Sequence, residues 1–238
     1  GKVWDVMVDI VVEQCEKDGL EPMSINPVVG ECNDSRINRI QKRAVGAAEV
    51  RQAFASVADD FEEGAVGAGT GTICYGMKGG IGSASRVIRI GEKEYTIGVL
   101  VQSNFGATED FVLNGEAVGA KILDWKQEKD DMAASEEDKG SIMSILATDL
   151  PLTSRQLKRI LRRTGVGIAR TGGYTGHGSG EVMIGFTTEN RIPSGTEEKL
   201  LQIQAIPEHV INRAFLAAAE AEQEAILNSM TAAERTRG

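Results

Sequence analysis

The run GSIMSILATDLPL, residues 140–152, decides how the chain is read. Ser141–Thr148 is a short apolar segment rich in β-branched residues, opened by Gly140, and predicts a strand. Before it stands DWKQEKDDMAASEEDK (124–139), with seven acids and three bases among its residues. So polar a stretch cannot bury enough apolar surface to order itself, and it is expected as a solvated, mobile loop. After the strand, Thr153 or Ser154 can cap a helix running to about Arg163. Leu157, Ile160 and Leu161 form its apolar stripe, its basic last turn suits the helix dipole, and Gly165 is expected to end it.

Working outward, residues 2–18 carry Val3, Val6, Met7, Ile10 and Val11 at helical spacing, with Gly19 as the stop. Residues 22–34 read as a loop around a short extended Val28-Val29, and 46–61 as a second helix with Val50, Phe54, Val57 and Phe61 on one face. Three strands are expected at Ala65–Tyr75, Ser85–Ile90 and Tyr95–Gln102, the last two joined at Gly91. Val182–Thr187 is another strand, and Pro207 is expected to open a long Ala-rich helix to about Arg235. Hairpin-like strand neighbours with helices outside predict α+β layers, not a regular βαβ alternation.

Composition excludes several classes. The 238 residues fit one large domain or two small ones, with 41% hydrophobic residues to build a core. The net charge of −9 disfavours nucleic acid and anionic membrane surfaces, which call for a basic face. No apolar run reaches the ~18 residues of a membrane span. Cys15, Cys32 and Cys74 show no CxxC spacing and read as reduced thiols, for which the cytoplasm is the expected compartment. With only His177 and His209, no zinc-ligand pattern is visible.

The familiar catalytic signatures fail on spacing. In GAGTGTICYGMKGGIG (67–82), Lys78 is followed by Gly79, where a phosphate-binding loop needs Ser or Thr. A GxGxxG pattern fails at Thr72 and again at Cys74. Gly178-Ser179-Gly180 is no nucleophile elbow, because His177 and Glu181 stand where that motif needs glycine. Ser179 and Glu181 are two apart, so in a strand a hydroxyl and a carboxylate project from one face; a polar turn entering the strand is the alternative. Gly140-Ser141 is either an ordinary strand start or a place where the chain can be cut to free a serine amine. Such an amine has a pKa of about 7.7–8.0 and can serve as base for its own hydroxyl.

Five runs then carry a resemblance: PVVGECNDSRIN (27–38), GTGTICYGMKGGIGSASRVI (69–88), VLVQSNFG (99–106), GSIMSILATDLPL with LKRILRRTGVGIARTGG (140–152 and 157–173), and GHGSGEVMIGFTT (176–188). In this order they resemble the L-aminopeptidase/D-esterase-amidase and β-aminopeptidase family of self-processing N-terminal-serine hydrolases. The resemblance implies a four-layer αββα sandwich like that of N-terminal nucleophile hydrolases, with different connectivity. It implies cleavage at Gly140–Ser141 into an α portion (1–140) and a β portion (141–238) of one domain, which looks clipped at both ends. It implies Ser141 as nucleophile, Ser179 and Glu181 as proton-relaying partners, Asn104 as oxyanion donor, and Tyr75 near the reacting carbonyl. Glu31 is implied as the acid that pairs with the substrate's ammonium group.

The implied substrates are peptides, amino-acid amides or esters, with no cofactor or metal, and the implied assembly is a homo-oligomer of αβ units. Family members often carry an aromatic residue or glycine where Ser35-Arg36 stands, which bears on side-chain preference and not on the chemistry. Two other functions fit related architecture: an acyltransferase, though the known ones use threonine where this chain has Ser141, and an inactive remnant serving as a binding domain.

Overall fold

The computed structural model describes residues 1–22, 24–128, 140–192 and 198–236. Helix α1 (Lys2–Lys17) is followed by α2 (Ala47–Ala55), and Arg51 joins the two through a bidentate pair with Glu13. The expected helix to residue 61 stops early, at Ala55. Asp59, Asp60, Glu62 and Glu63 lie beyond it, and acids are unfavourable at the negative end of a helix. Val57 and Phe61 are accordingly exposed.

The glycine-rich region is less extended than expected. Gly67–Gly69 form a 3-10 turn, and only β1 (Ile73–Cys74) and β2 (Met77–Lys78) pair there, as a two-stranded ribbon. Two longer strands follow, β3 (Ile81–Ile90) and β4 (Lys93–Asn104), turning at Gly91 with φ +63°. A second ribbon, β5 (Val112–Leu113) with β6 (Glu116–Ala117), leads into α3 (Gly119–Glu128). Helix α3 thus takes the first residues of the stretch expected to be a loop; 129–139 lie outside the described residues.

Strand β7 (Ser141–Thr148) falls where the apolar run predicts. Thr153 caps α4 (Ser154–Leu161) in a capping box: its hydroxyl accepts from the Gln156 N–H, and the Gln156 side chain accepts from the Thr153 N–H. Gly165 does not end helical structure. The chain breaks at Arg162-Arg163 and restarts as α5 (Thr164–Arg170), where a Gly165 side chain would make only an ordinary contact with the Met183 methyl at 3.6 Å. Strand β8 (Gly180–Thr187) is followed by a 3-10 turn after Pro207 and then by α6 (Ile211–Thr231), later and shorter than expected.

The main sheet has strand order β3-β4-β7-β8. Neighbours are antiparallel except β7 and β8, which run parallel. Helices α4 and α5 make the crossover between those two, so one βαβ unit sits inside an otherwise hairpin-built sheet. Helix α6 packs across β3 and β4, with α5 beside it. Ile97, Val99 and Val101 of β4 and Ile142 and Leu146 of β7 share a core with Ala218, Ala221, Ala225 and Ile226 of α6, all at most 2% exposed. Each such Ile, Val or Leu contributes about 1.5–3 kcal/mol.

The small side chains of α6 let its backbone approach the sheet closely. A Cβ at Gly82 would lie 2.1 Å from the Ala225 carbonyl oxygen, and Ser103 bonds Ser229 across the same contact at 2.7 Å. Alternation along the strands turns Ser141, Met143 and Ile145 to the opposite face, together with Val182 and Phe186 of β8. Ile145, Val182 and Phe186 remain exposed. The described residues therefore lay out an α+β fold with one four-stranded sheet backed by a helix layer.

Candidate active site

Strand register places Ser141 between two neighbours distant in sequence, Asn104 on β4 and Gly180 on β8. The carbonyl of Gly140 accepts a hydrogen bond from the Gly180 N–H at 3.1 Å. Gly140 has no room for a side chain: a Cβ there would lie 2.2 Å from the Asn104 carbonyl oxygen and 2.5 Å from the Phe105 Cα. Glycine at 140 is thus required by contact with the end of β4. The 140–141 bond is held on both sides.

Ser179 and Glu181 come together as their spacing predicts. The Ser179 hydroxyl donates to Glu181 Oε1 at 2.5 Å, and both side chains are half-buried. A turn closed by Ser179 N–H to the Gly176 carbonyl carries the serine to the head of β8, next to the Gly140–Ser141 peptide.

Asn104 is buried at the end of β4. Its Oδ1 accepts from the Ile73 N–H at 3.0 Å, and its Nδ2 donates to the Asn33 carbonyl at 3.1 Å. Because a backbone N–H can only donate, Ile73 fixes which way the amide faces. The donor end is thereby aimed away from β1.

Segment 30–34 crosses the sheet face that carries Ser141. A Cβ at Gly30 would run into the Met143 side chain, and the Cys32 thiol lies 3.5 Å from the Gln102 carbonyl and 3.6 Å from that of Ser141 itself. Burial pushes the Cys32 thiol above its ordinary pKa, so it stays protonated and donates. Glu31, between these two anchored residues, is exposed.

Tyr75 packs against Phe105, the residue that follows Asn104. It is fully buried in the left-handed region (φ +50°), with its ring against Phe105 and Phe111 and its hydroxyl sharing a hydrogen bond with Thr171 at 2.8 Å. Its N–H donates to the Phe105 carbonyl, so it braces the chain just past Asn104.

Sequence reasoning missed two ionisable groups, half-buried Lys78 and fully buried Glu222. Lys78 donates to three backbone carbonyls, those of Gly69, Thr72 and Gly79; burial lowers its pKa, and nearby Asp34 opposes that shift. Glu222 of α6 lies beneath β7, accepting from the Ser144 hydroxyl at 2.6 Å, and burial raises its pKa to about 8. The only sequence signal for either was a charged residue inside a glycine-rich or alanine-rich run. Among the described residues, no group of three or more His, Cys, Asp or Glu is placed to hold a metal ion. No helix among them is long and apolar enough to cross a membrane.

Comparison with known proteins follows the same lines. The family model for peptidase family S58 matches residues 1–238. The beta-peptidyl aminopeptidase BapA of Sphingosinicella xenopeptidilytica is 35% identical over 246 residues, covering 100% of this chain and 61% of that protein. Among solved structures, the L-aminopeptidase D-Ala-esterase/amidase of Ochrobactrum anthropi is 34% identical with a TM-score of 0.88, over 100% of this chain and 64% of that one. It is described as a prototype for the serine aminopeptidases and a new variant of the Ntn (N-terminal nucleophile) hydrolase fold. The PH0078 protein of Pyrococcus horikoshii OT3 is 44% identical, TM-score 0.87, over 100% of this chain and 64% of that one. This chain spans less than two thirds of each of these relatives. At these identities and scores the likeness carries the fold, an α+β sandwich of the N-terminal nucleophile type.

Proposed function

This chain belongs to peptidase family S58, and on that footing we propose that it is a self-processing serine aminopeptidase/amidase. The bond between Gly140 and Ser141 breaks first. Ser141 Oγ attacks the Gly140 carbonyl carbon, the Gly140–Ser141 C–N bond breaks, and the acyl group moves from nitrogen to oxygen. Water then hydrolyses the ester. The α portion ends in a Gly140 carboxylate, and the β portion begins with a free Ser141 amine. The Gly180 N–H, already on the Gly140 carbonyl, is placed to stabilise charge on that oxygen.

In turnover, the Ser141 amine, assisted by Ser179 and Glu181, takes the proton from Oγ as it attacks the carbonyl of an N-terminal amino acid. Asn104 Nδ2 holds the oxyanion. The shortened peptide, amine or alcohol leaves with the proton, and water frees the amino acid. Glu31, on a segment anchored beside Ser141, pairs with the substrate's ammonium, because a carboxylate recognises that group through charge-assisted hydrogen bonds. Tyr75 fits as a brace for Phe105 and the end of β4. Peptides, amino-acid amides and esters are the substrate class, the working form is a homo-oligomer of αβ units, and free thiols at Cys15, Cys32 and Cys74 suit the reducing cytoplasm.

The observation that carries this reading is the register that sets Gly140–Ser141 between Asn104 and Gly180, with no room for a side chain at 140. A denaturing gel and N-terminal sequencing test it. Two bands are expected, the smaller beginning Ser-Ile-Met-Ser, and Ser141→Ala abolishes both the cut and hydrolysis of an amino-acid p-nitroanilide. Full hydrolysis by an uncut chain defeats it.

A further inference from the structure

Lys78 has no part in the chemistry above, yet its contacts lead to it. Its ammonium donates to the carbonyls of Gly69 at 2.8 Å, Thr72 at 2.9 Å and Gly79 at 2.6 Å, which uses all three of its protons. The Thr72 carbonyl and the Ile73 N–H are the two ends of one peptide group. That N–H donates to Asn104 Oδ1 at 3.0 Å, and Asn104 Nδ2 donates onward to the Asn33 carbonyl at 3.1 Å. The path is continuous: ammonium, peptide, side-chain amide, acceptor. On the reading of Asn104 as oxyanion donor, the amide that now donates to the Asn33 carbonyl is the one that would meet the oxyanion.

We infer that Lys78 is a positioning residue that aims and polarises the Asn104 amide through the Thr72–Ile73 peptide. A cation on a carbonyl oxygen draws electron density from the peptide and makes its N–H a better donor. The next amide is polarised in the same sense, and each bond in such a chain strengthens the next by roughly 10–30%. A half-buried charge behind the site thus acts on the reacting oxygen without touching it. The geometry also removes a freedom: with Ile73 locked by Lys78, the Asn104 amide has one stable orientation, donor end outward. Asp34, seated against Gly71 of the same loop, supports the positive charge that burial opposes.

This inference rests on the reading of Asn104 as oxyanion donor, and the test separates the two. The full chain is prepared as wild type, Lys78→Met, Asn104→Ala and the double variant. The self-cutting rate and kcat and KM on an amino-acid p-nitroanilide are measured. Lys78→Met is expected to lower cutting and kcat about 10–100-fold, with KM within about twofold, less than the roughly 10²–10³ cost of losing an oxyanion donor outright. The double variant is expected to be no slower than Asn104→Ala, because Lys78 acts through that amide. A double variant slowed by the product of the single effects, or Lys78→Met at wild-type rates, overturns the Lys78 role alone. Asn104→Ala at wild-type rates removes the oxyanion reading and the Lys78 role with it. If Lys78→Met fails to fold, wild type carries the test by NMR. On binding a boronic-acid analogue of the substrate, the Ile73 amide proton is expected to move downfield together with the Asn104 side-chain amide. A stationary Ile73 resonance overturns the inference.

Discussion

Ser144 of β7 donates its hydroxyl to the carboxyl of Glu222 at 2.6 Å, and that carboxyl's other oxygen has no hydrogen-bond partner among the described residues. Burial lifts the Glu222 pKa from 4.5 to about 8, while the Ser144 bond works the other way. The folded pKa lies above the unfolded one, so the native state binds the proton more tightly. Stability is therefore complete below about pH 4.5, declines as pH rises toward about 8, and is flat beyond. The loss is on the order of 5 kcal/mol across that window. Melting curves of wild type and Glu222→Gln between about pH 4 and 9 check it, a range chosen to span the unfolded and folded pKa. The wild-type melting temperature should fall relative to the variant as pH rises; parallel curves would refute the assignment.

Gly140 and Gly180 offer a matched pair of glycine tests. A methyl at 140 meets the backbone of Asn104 and Phe105 at 2.2 and 2.5 Å, whereas one at 180 meets nothing nearer than the Ser141 Cβ at 4.0 Å. Gly140→Ala should slow self-cutting by about 100-fold or more, since a displacement on the order of 1 Å costs that much in a positioned reaction. Gly180→Ala should cut at close to the wild-type rate. A gel time course distinguishes them.

Ser179→Ala removes the 2.5 Å bond that orients Glu181. In the proposed relay role, general acid–base groups contribute about 10²–10⁴ in rate. The expected result is a kcat loss of at least about 100-fold in a protein that still folds, because Ser179 lies at the half-buried head of β8 and outside the core. Steady-state kinetics beside circular dichroism is the check.

Gly82→Ala tests the seat of α6. The added methyl would sit 2.1 Å from the Ala225 carbonyl oxygen and 2.4 Å from the Ser229 nitrogen, both backbone atoms of a packed helix. Overpacking of this kind costs about 1–3 kcal/mol. Urea unfolding should show the midpoint reduced with little change in slope; an unchanged midpoint would mean that α6 shifts freely.

The elements built on strong periodicity were legible. Strand Ser141–Thr148, the Thr153 cap and the β3–β4 turn at Gly91 follow directly from side-chain pattern and turn chemistry. The Ser179–Glu181 pair was legible too, because a two-residue spacing in a strand leaves little choice of geometry. What failed was local. Residues 65–72 look β-branched and apolar, but their glycines adopt a turn that Lys78 ties from behind. The helix after Gly165 was hidden because a glycine inside a short buried helix looks like a stop. Long-range partners left no trace in the sequence: nothing near Lys78 announces Asn104, and nothing near Glu222 announces Ser144.

Strand β7 is an interior strand, laddered to β4 on one side and β8 on the other. A break just ahead of it therefore frees no ribbon. The two halves would stay stitched along full-length ladders and melt together as one body. Once separated by denaturant, however, they would have to find each other again by collision, so recovery would depend on concentration where a single unbroken chain would recover alone.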